Sequence, residues 1–123
     1  MLSKILKDFQ KTIERLEEVL LLKRTKVNRD SAIKRFELCF DLCWKLIKIW
    51  AKKQGIECNS PRSCFKTAFQ LHLIDYEKKY LRMIDDRNLT VHLYKEKYAD
   101  RVYGRLKDYL KLFKKLAAKL KKL

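Results

Sequence analysis

A short segment in the second half of the chain concentrates side chains that could do chemistry. It contains, in order, an arginine, an asparagine, a threonine, a histidine and a tyrosine: Arg87, Asn88, Thr90, His92 and Tyr94. An arginine presents a planar fork of donors that fits a phosphate, and a histidine is the side chain best suited to move a proton near neutral pH. These residue types at this spacing predict a site that binds and cleaves a phosphodiester.

The predicted chemistry is cleavage of RNA with the substrate's own 2′-hydroxyl as nucleophile. His92 would take or give the proton, and Arg87 would hold the negative charge that develops on phosphorus. Asn88, Thr90 and Asp86 would support these two catalytic residues. This mechanism needs no metal ion and no cofactor.

The geometry of an ideal helix restricts this hypothesis. Arg87 and His92 are five positions apart, which separates their side chains by about 140° around a helix, whereas Asn88 and His92 share a face. Two copies of the chain across a two-fold contact would bring two arginines and two histidines into one site. The alternative is that His92 caps a helix end or satisfies an interior hydrogen bond, which is a common role for a single histidine.

Two adjacent aspartates precede this segment. Neighbouring residues point to different sides of a helix, so Asp85 and Asp86 do not form a metal-binding pair. We expect them to neutralise Arg82 or Arg87, or to face water.

The four cysteines, at positions 39, 43, 58 and 64, lack the spacing of a zinc site. No CxxC pair occurs among them, and only two histidines exist to complete a tetrahedral ligand set. We therefore expect all four to be reduced and to pack as small apolar side chains.

The elements that must position the reactive segment are helices. Two glycines and one proline are too few for an all-β chain with frequent turns. Apolar residues recur at intervals of three and four, and the connections are short, which predicts one all-α domain over 1–123, a five-helix up-down bundle with a four-helix core. The first expected helix covers about 3–24, and the second ends at a C-cap at Gly55. The third begins at Ser60 and Pro61 and ends at about 72–74. The fourth follows a cap at Asp75, and the fifth begins at Glu96.

The second of these helices is apolar around more of its circumference than a one-sided surface helix. Leu38, Leu42 and Ile49 lie off its main apolar face. We expect this helix to pack centrally or to form a subunit contact, which favours a homodimer.

The net charge of +16 is unevenly distributed, with +7 on residues 96–123. Such a stripe suits an RNA phosphate backbone or an acidic protein partner, and it is equally typical of a solvated lysine-rich face. Most aromatic residues fall at core positions of the helical pattern, so the sequence predicts no stacking platform for single-stranded nucleic acid.

The chain shows no sign of membrane insertion or export. No uncharged stretch of 18 residues occurs, and Asp8 interrupts the amino terminus before a signal-peptide core could form. The prediction is a cytoplasmic protein with no membrane partner.

Three segments resemble the HEPN superfamily and, within it, the nucleotidyltransferase substrate-binding proteins. They are RDSAIKRFELCFDLCWKLIKIW, SPRSCFKTAFQLHLI and MIDDRNLTVHLY. The last one matches the family's R-x4-H-x-Y motif at Arg87, His92 and Tyr94, with the polar Asn88 after the arginine.

This resemblance implies a dimeric helical bundle encoded beside a minimal nucleotidyltransferase, the two forming a toxin and antitoxin pair. The HEPN chain would be a metal-independent RNase toxin with Arg87 and His92 in a cleft between subunits. Its partner would silence it by transferring AMP from ATP to Tyr94.

Two other functions remain open at the sequence level. The older family name implies a non-catalytic subunit that presents substrate to the nucleotidyltransferase. A basic bundle that coats nucleic acid is the third alternative. The chain itself lacks the glycine-serine loop and strand-borne aspartates of a nucleotidyltransferase.

Overall fold

The computed structural model describes residues 2–123, and their regular structure is entirely helical. Its elements are α1 (Leu2–Leu20), α2 (Lys26–Lys53), α3 (Pro61–Gln70), α4 (Glu77–Leu89) and α5 (Glu96–Lys122), with a 3-10 turn (Thr90–His92) between α4 and α5. The prediction of five helices is confirmed. The first helix is shorter than expected, because the chain leaves it after Leu20 and exposes Leu21 and Leu22.

Local signals set several helix ends. The side chain of Ser60 accepts a hydrogen bond from the backbone N–H of Ser63 ahead of Pro61 at the first helical position, as expected for a capped start of α3. Gly55 follows α2 with φ of +84°, a left-handed conformation that favours glycine.

The predicted cap at Asp75 is wrong. Tyr76 occupies the N-cap position of α4 and makes no side-chain capping bond. The carboxylate of Asp75 instead accepts a hydrogen bond from Lys115 on α5, at 2.7 Å. Asp75 therefore pairs with an opposite charge on a neighbouring helix and does not cap the start of α4.

Contacts along the helices give an up-down arrangement. Glu17 of α1 pairs with Lys114, and Arg24, just beyond the end of α1, pairs with Asp100, so α1 and α5 run antiparallel. The hydroxyl of Tyr80 donates to the carbonyl of Leu112 at 3.3 Å, while Asp75 reaches Lys115, so α4 and α5 are also antiparallel.

One apolar core fills the space between the helices. Phe36 on α2 is fully buried and stacks on Tyr109 of α5, with ring centroids 5.4 Å apart. The central packing expected for α2 is confirmed, since it contacts α1, α3 and α5. Among its off-face residues, Leu42 is partly buried against the core, whereas Leu38 is 48% exposed.

The cysteines divide into two pairs, which corrects the expectation that all four are reduced. Cys58 and Cys64 form a disulfide that links the loop after α2 to the first turn of α3. Cys39 and Cys43 are free and buried on α2, as expected for small apolar side chains. The sequence spacing missed the disulfide because the turn at Ser60 brings two positions six residues apart to a Cα separation of 5.1 Å.

None of the helices within residues 2–123 is both long and apolar enough to cross a bilayer.

Candidate functional site

The reactive segment lies where α4 gives way to the 3-10 turn. Arg87 and Asn88 are in the last turn of α4, Thr90 begins the 3-10 turn and His92 ends it, while Tyr94 lies in the link to α5. The angle expected from an ideal helix therefore does not apply to His92, because the α-helical path ends at Leu89. No glycine or proline marks this end, so the sequence pattern could not place it.

Arg87 is held between its own turn and the neighbouring helix α2. Its Nη1 donates to the hydroxyl oxygen of Thr90 at 3.1 Å, and that hydroxyl donates to the carbonyl of Arg87 at 2.7 Å. Across the interface, its guanidinium lies 3.8 Å from a carboxylate oxygen of Glu37 and 3.8 Å from one of Asp41. Its buried Nε has no hydrogen-bond partner.

This geometry leaves the guanidinium able to bind an anion. Distances of 3.8 Å give charge attraction without a hydrogen bond, so the two carboxylates orient Arg87 without satisfying its donors. A phosphate at this position would have to compete with Glu37 and Asp41.

His92 and Tyr94 lie together on the surface. Both side chains are exposed, Tyr94 to 75%, and their ring centroids are 6.0 Å apart in an edge-to-face arrangement. On its other side, the His92 ring lies 6.4 Å from the ring of Tyr98 on α5. Both side chains are therefore open to a large substrate.

Within one chain, the predicted site residues thus form two groups. Arg87 contacts Thr90, whereas His92 contacts Tyr94. Asn88 is exposed at the end of α4.

Asp86 has a structural environment and corrects the expectation that it pairs with Arg82 or Arg87 or faces water. It is 1% exposed and accepts a hydrogen bond from Nη1 of Arg105 at 2.8 Å and another from the hydroxyl of Tyr109. Both donors lie on α5, whereas the carboxylates that face Arg87 lie on α2. Asp86 therefore anchors the helix that carries Arg87 and does not line the candidate site.

The Asp86 anchor continues along α4 and α5. Nε of Arg82 donates to the Tyr109 oxygen at 3.0 Å, and Nη2 of Arg82 pairs with Asp108 at 2.9 Å. Burial, followed by the bond to Asp86, raises the pKa of Tyr109 well above its usual range, so the phenol keeps its proton. Desolvation opposes the ionisation of Asp108, but bonds from Lys79 and Arg82 outweigh it and lower its pKa.

The structure adds residues that the sequence did not single out. Glu37 and Asp41 are one helical turn apart on α2, so their shared face is visible in the sequence, but nothing local indicates that Arg87 meets it. The helical pattern assigns Tyr109 to the apolar face of the last helix and gives no sign of a partner for its hydroxyl.

A cationic cluster borders His92, formed by Lys95, Lys97 and Arg101 around the ring of Tyr98. Their charged groups lie 5.4, 5.2 and 5.6 Å from the ring centroid, respectively. Such distances fit cation–π attraction. Together with the exposed Tyr94, this cluster forms an aromatic and basic surface. The sequence did not reveal it, because the helical pattern placed most aromatic residues in the core.

Among residues 2–123, no three side chains of histidine, cysteine, aspartate or glutamate are grouped so that they could hold a metal ion. Positive charge near the reactive segment comes from arginine and lysine side chains.

A comparison with known protein families matches residues 4–122 to the family described as nucleotidyltransferase substrate binding protein like. Among solved structures, the chain is similar to ttk003001694 from Thermus thermophilus, with 34% identity and a TM-score of 0.87 over 91% of this chain and 98% of that chain. It also shares its fold with HI0074 from Haemophilus influenzae, at 22% identity and a TM-score of 0.73 over 98% and 96% of the two chains. HI0074 is described as revealing the fold of a substrate binding domain of a nucleotidyltransferase. No curated protein matches the sequence.

Proposed function

Because the chain belongs to the nucleotidyltransferase substrate binding protein-like family, we propose that it is the HEPN-type partner of a minimal nucleotidyltransferase encoded nearby. In this proposal the two form a toxin and antitoxin pair. The chain is a metal-independent RNase with Arg87 and His92 as catalytic residues, and AMP transfer to Tyr94 silences it. Asn88 and Thr90 support the site, Thr90 through its bond to Arg87.

The observation that carries the proposal is the exposure of His92 and Tyr94 side by side on one short segment. An RNA phosphate bound at His92 would lie close to the Tyr94 ring. Adding an AMP group to the Tyr94 hydroxyl would put a bulky negative charge at the same place and repel RNA. The adjacency therefore supports both the reaction and its switch.

The proposed active form is a homodimer. Arg87 and His92 have different neighbours within one chain, and a two-fold partner would supply the missing half of each site. Two exposed apolar side chains are sequence neighbours of these residues: Leu38 follows Glu37 on α2, and Val91 precedes His92 in the 3-10 turn. Their burial between two copies would favour such a contact.

A second candidate function is a non-catalytic subunit that binds substrate for the nucleotidyltransferase. The observation that favours it is the orientation of Arg87 towards Glu37 and Asp41, which gives the arginine a structural role between α2 and α4.

In either function the protein works where ATP is made, so we propose a cytoplasmic location. Disulfides such as the one between Cys58 and Cys64 are uncommon in the cytoplasm, so we propose to measure the redox state of these two cysteines.

The decisive experiment measures RNA cleavage by the purified chain in the presence of EDTA. We expect cleavage by the wild type, loss in His92→Ala, and retention in His72→Asn, a control at the other exposed histidine. Asparagine tolerates the positive φ of His72. Absence of cleavage by the wild type, or its retention in His92→Ala, contradicts the RNase function.

A second measurement tests the switch. The chain is produced together with the nucleotidyltransferase and ATP, and its intact mass is determined. We expect a gain of one or more AMP units, lost in Tyr94→Phe and kept in Tyr76→Phe, a control at another exposed tyrosine. A stable complex of the two proteins without any mass gain or RNA cleavage would support the substrate-binding subunit instead.

A further inference from the structure

The first two turns of α5, together with its N-cap Lys95, separate charges by sign. On one side, Glu96 and Asp100 pair with Arg29 at 2.6 and 3.2 Å, and Asp100 also pairs with Arg24. Arg29 is 4% exposed, so these two carboxylates are committed to the bundle. They are therefore not available to neutralise the cations on the other side of the helix.

Lys95, Lys97 and Arg101 occupy that other side. None of the three forms an ion pair with any carboxylate among residues 2–123, and all three are exposed around the ring of Tyr98. Three like charges gathered on one ring repel each other and attract counterions. This concentration of unpaired positive charge lies beside His92, whose ring is 6.4 Å from Tyr98.

We propose that Lys95, Lys97 and Arg101, gathered around Tyr98, bind the phosphate backbone of single-stranded RNA and lead the strand to His92. This inference rests on the proposed nuclease function and names the residues that position its substrate. The three cations are positioning residues, and no proton or bond changes at them.

Two features favour single-stranded RNA over an acidic protein surface. Neutralising phosphates releases condensed counterions, which makes a compact group of unpaired cations an effective phosphate binder. In addition, Tyr94 exposes 75% of its surface next to His92, and an exposed aromatic face stacks on unpaired bases of any sequence. A protein carboxylate would use the cations but would gain nothing from that ring.

Tyr98 has a separate role in this site, which is to hold three flexible side chains in place. Lysine and arginine lose considerable rotamer freedom when they are fixed, and attraction to the π face offsets part of that cost. A ring without the hydroxyl keeps this attraction, whereas an aliphatic side chain loses it. Tyr98→Phe should therefore bind RNA like the wild type, and Tyr98→Leu should bind it more weakly.

The test measures the affinity of a short fluorescein-labelled oligouridylate by fluorescence anisotropy, with His92→Ala in every protein so that no cleavage occurs. We expect Lys95→Gln, Lys97→Gln and Arg101→Gln together to weaken binding at least about tenfold at low salt. The slope of log affinity against log salt should fall by roughly 2, because each phosphate contact on a single strand contributes about 0.7. Circular dichroism verifies that the helical content is unchanged.

The matched control removes the same charge elsewhere on α5. Lys111, Lys121 and Lys122 are exposed and form no carboxylate pair within residues 2–123. Their combined change to glutamine should weaken binding by less than about threefold. Equal losses in both triple variants would overturn the proposal, because they would show a response to net charge alone.

Failure of this inference can be distinguished from failure of the proposed nuclease. If the wild type cleaves RNA but the cluster variant keeps full affinity, the binding site is wrong and the nuclease stands. If no cleavage occurs but the cluster variant loses affinity and its control does not, the RNA site stands and the nuclease fails. A cluster variant that keeps RNA affinity but no longer binds the nucleotidyltransferase would overturn the RNA site and assign the surface to protein contact.

Discussion

The carboxylate of Asp86 accepts a hydrogen bond from the hydroxyl of Tyr109, which lies 23 positions further along the chain on α5. Arg105, one turn before Tyr109, donates to the other carboxylate oxygen. Asp86 immediately precedes Arg87, so this anchor fixes the last turn of α4 against the bundle. The position of the candidate site therefore depends on a buried polar contact that is not itself part of the site.

Replacing Asp86 by alanine should destabilise the fold strongly. The change leaves the buried Tyr109 hydroxyl and one donor of Arg105 without their acceptor, which costs about 2–4 kcal/mol of unfolding free energy. Asp85→Ala is the matched control, because Asp85 is exposed and should change the free energy by less than about 0.5 kcal/mol. Urea unfolding followed by circular dichroism measures both. Similar midpoints for the two variants would contradict the anchoring role.

The cysteines should give a distinctive pattern of thiol reactivity. Burial raises the pKa of Cys39 to about 12 and also raises that of Cys43, so neither forms the reactive thiolate at about pH 8. Air-oxidised native protein should therefore react with almost no Ellman's reagent. Unfolding without a reductant should expose two thiols, and reduction followed by unfolding should expose four. Four thiols after unfolding alone would contradict the disulfide.

Glu96 should make stability depend on pH in the acid range. A hydrogen bond from Arg29 lowers its pKa in the folded protein below that of the unfolded chain, which is about 4.3. Its contribution is therefore complete above that value and is lost as the pH falls through the lower, folded pKa. The melting temperature should drop below about pH 4, and less steeply in Glu96→Gln than in the wild type. Glu14→Gln, an exposed change on α1, should keep the wild-type slope.

Much of the fold was predictable because its signals are local. Ser60 and Pro61 mark a helix start, and the spacing of residues such as Phe36 and Phe113 assigns them to a core whichever helices surround it. The end of the fourth helix was not predictable, for the opposite reason. No glycine or proline ends α4 at Leu89, where the chain passes into a 3-10 turn that begins at the buried Thr90.

The partners of the site residues were not predictable from the sequence. Glu37 and Arg87 are far apart along the chain, and their approach depends on the rotation of α2 against α4. A hydrophobic period places a helix face towards the core but does not specify which polar residues at its margins meet those of the next helix. The same reasoning applies to Arg105, at the margin of α5, and the pattern that places Tyr109 on the apolar face does not indicate that its hydroxyl meets Asp86.

Arg87 pairs only weakly with Asp41. The carboxylate lies 3.8 Å from Nε of Arg87, close enough to compete with an RNA phosphate for the same charge. Partly exposed pairs of this kind contribute up to about 1 kcal/mol, so Asp41→Asn should tighten RNA binding about two- to fivefold. Anisotropy with labelled oligouridylate measures it in the His92→Ala protein. Asp8→Asn removes one exposed carboxylate from α1 and provides the control. Because both changes add the same net charge, an equal gain in affinity would show that Arg87 does not contact the RNA.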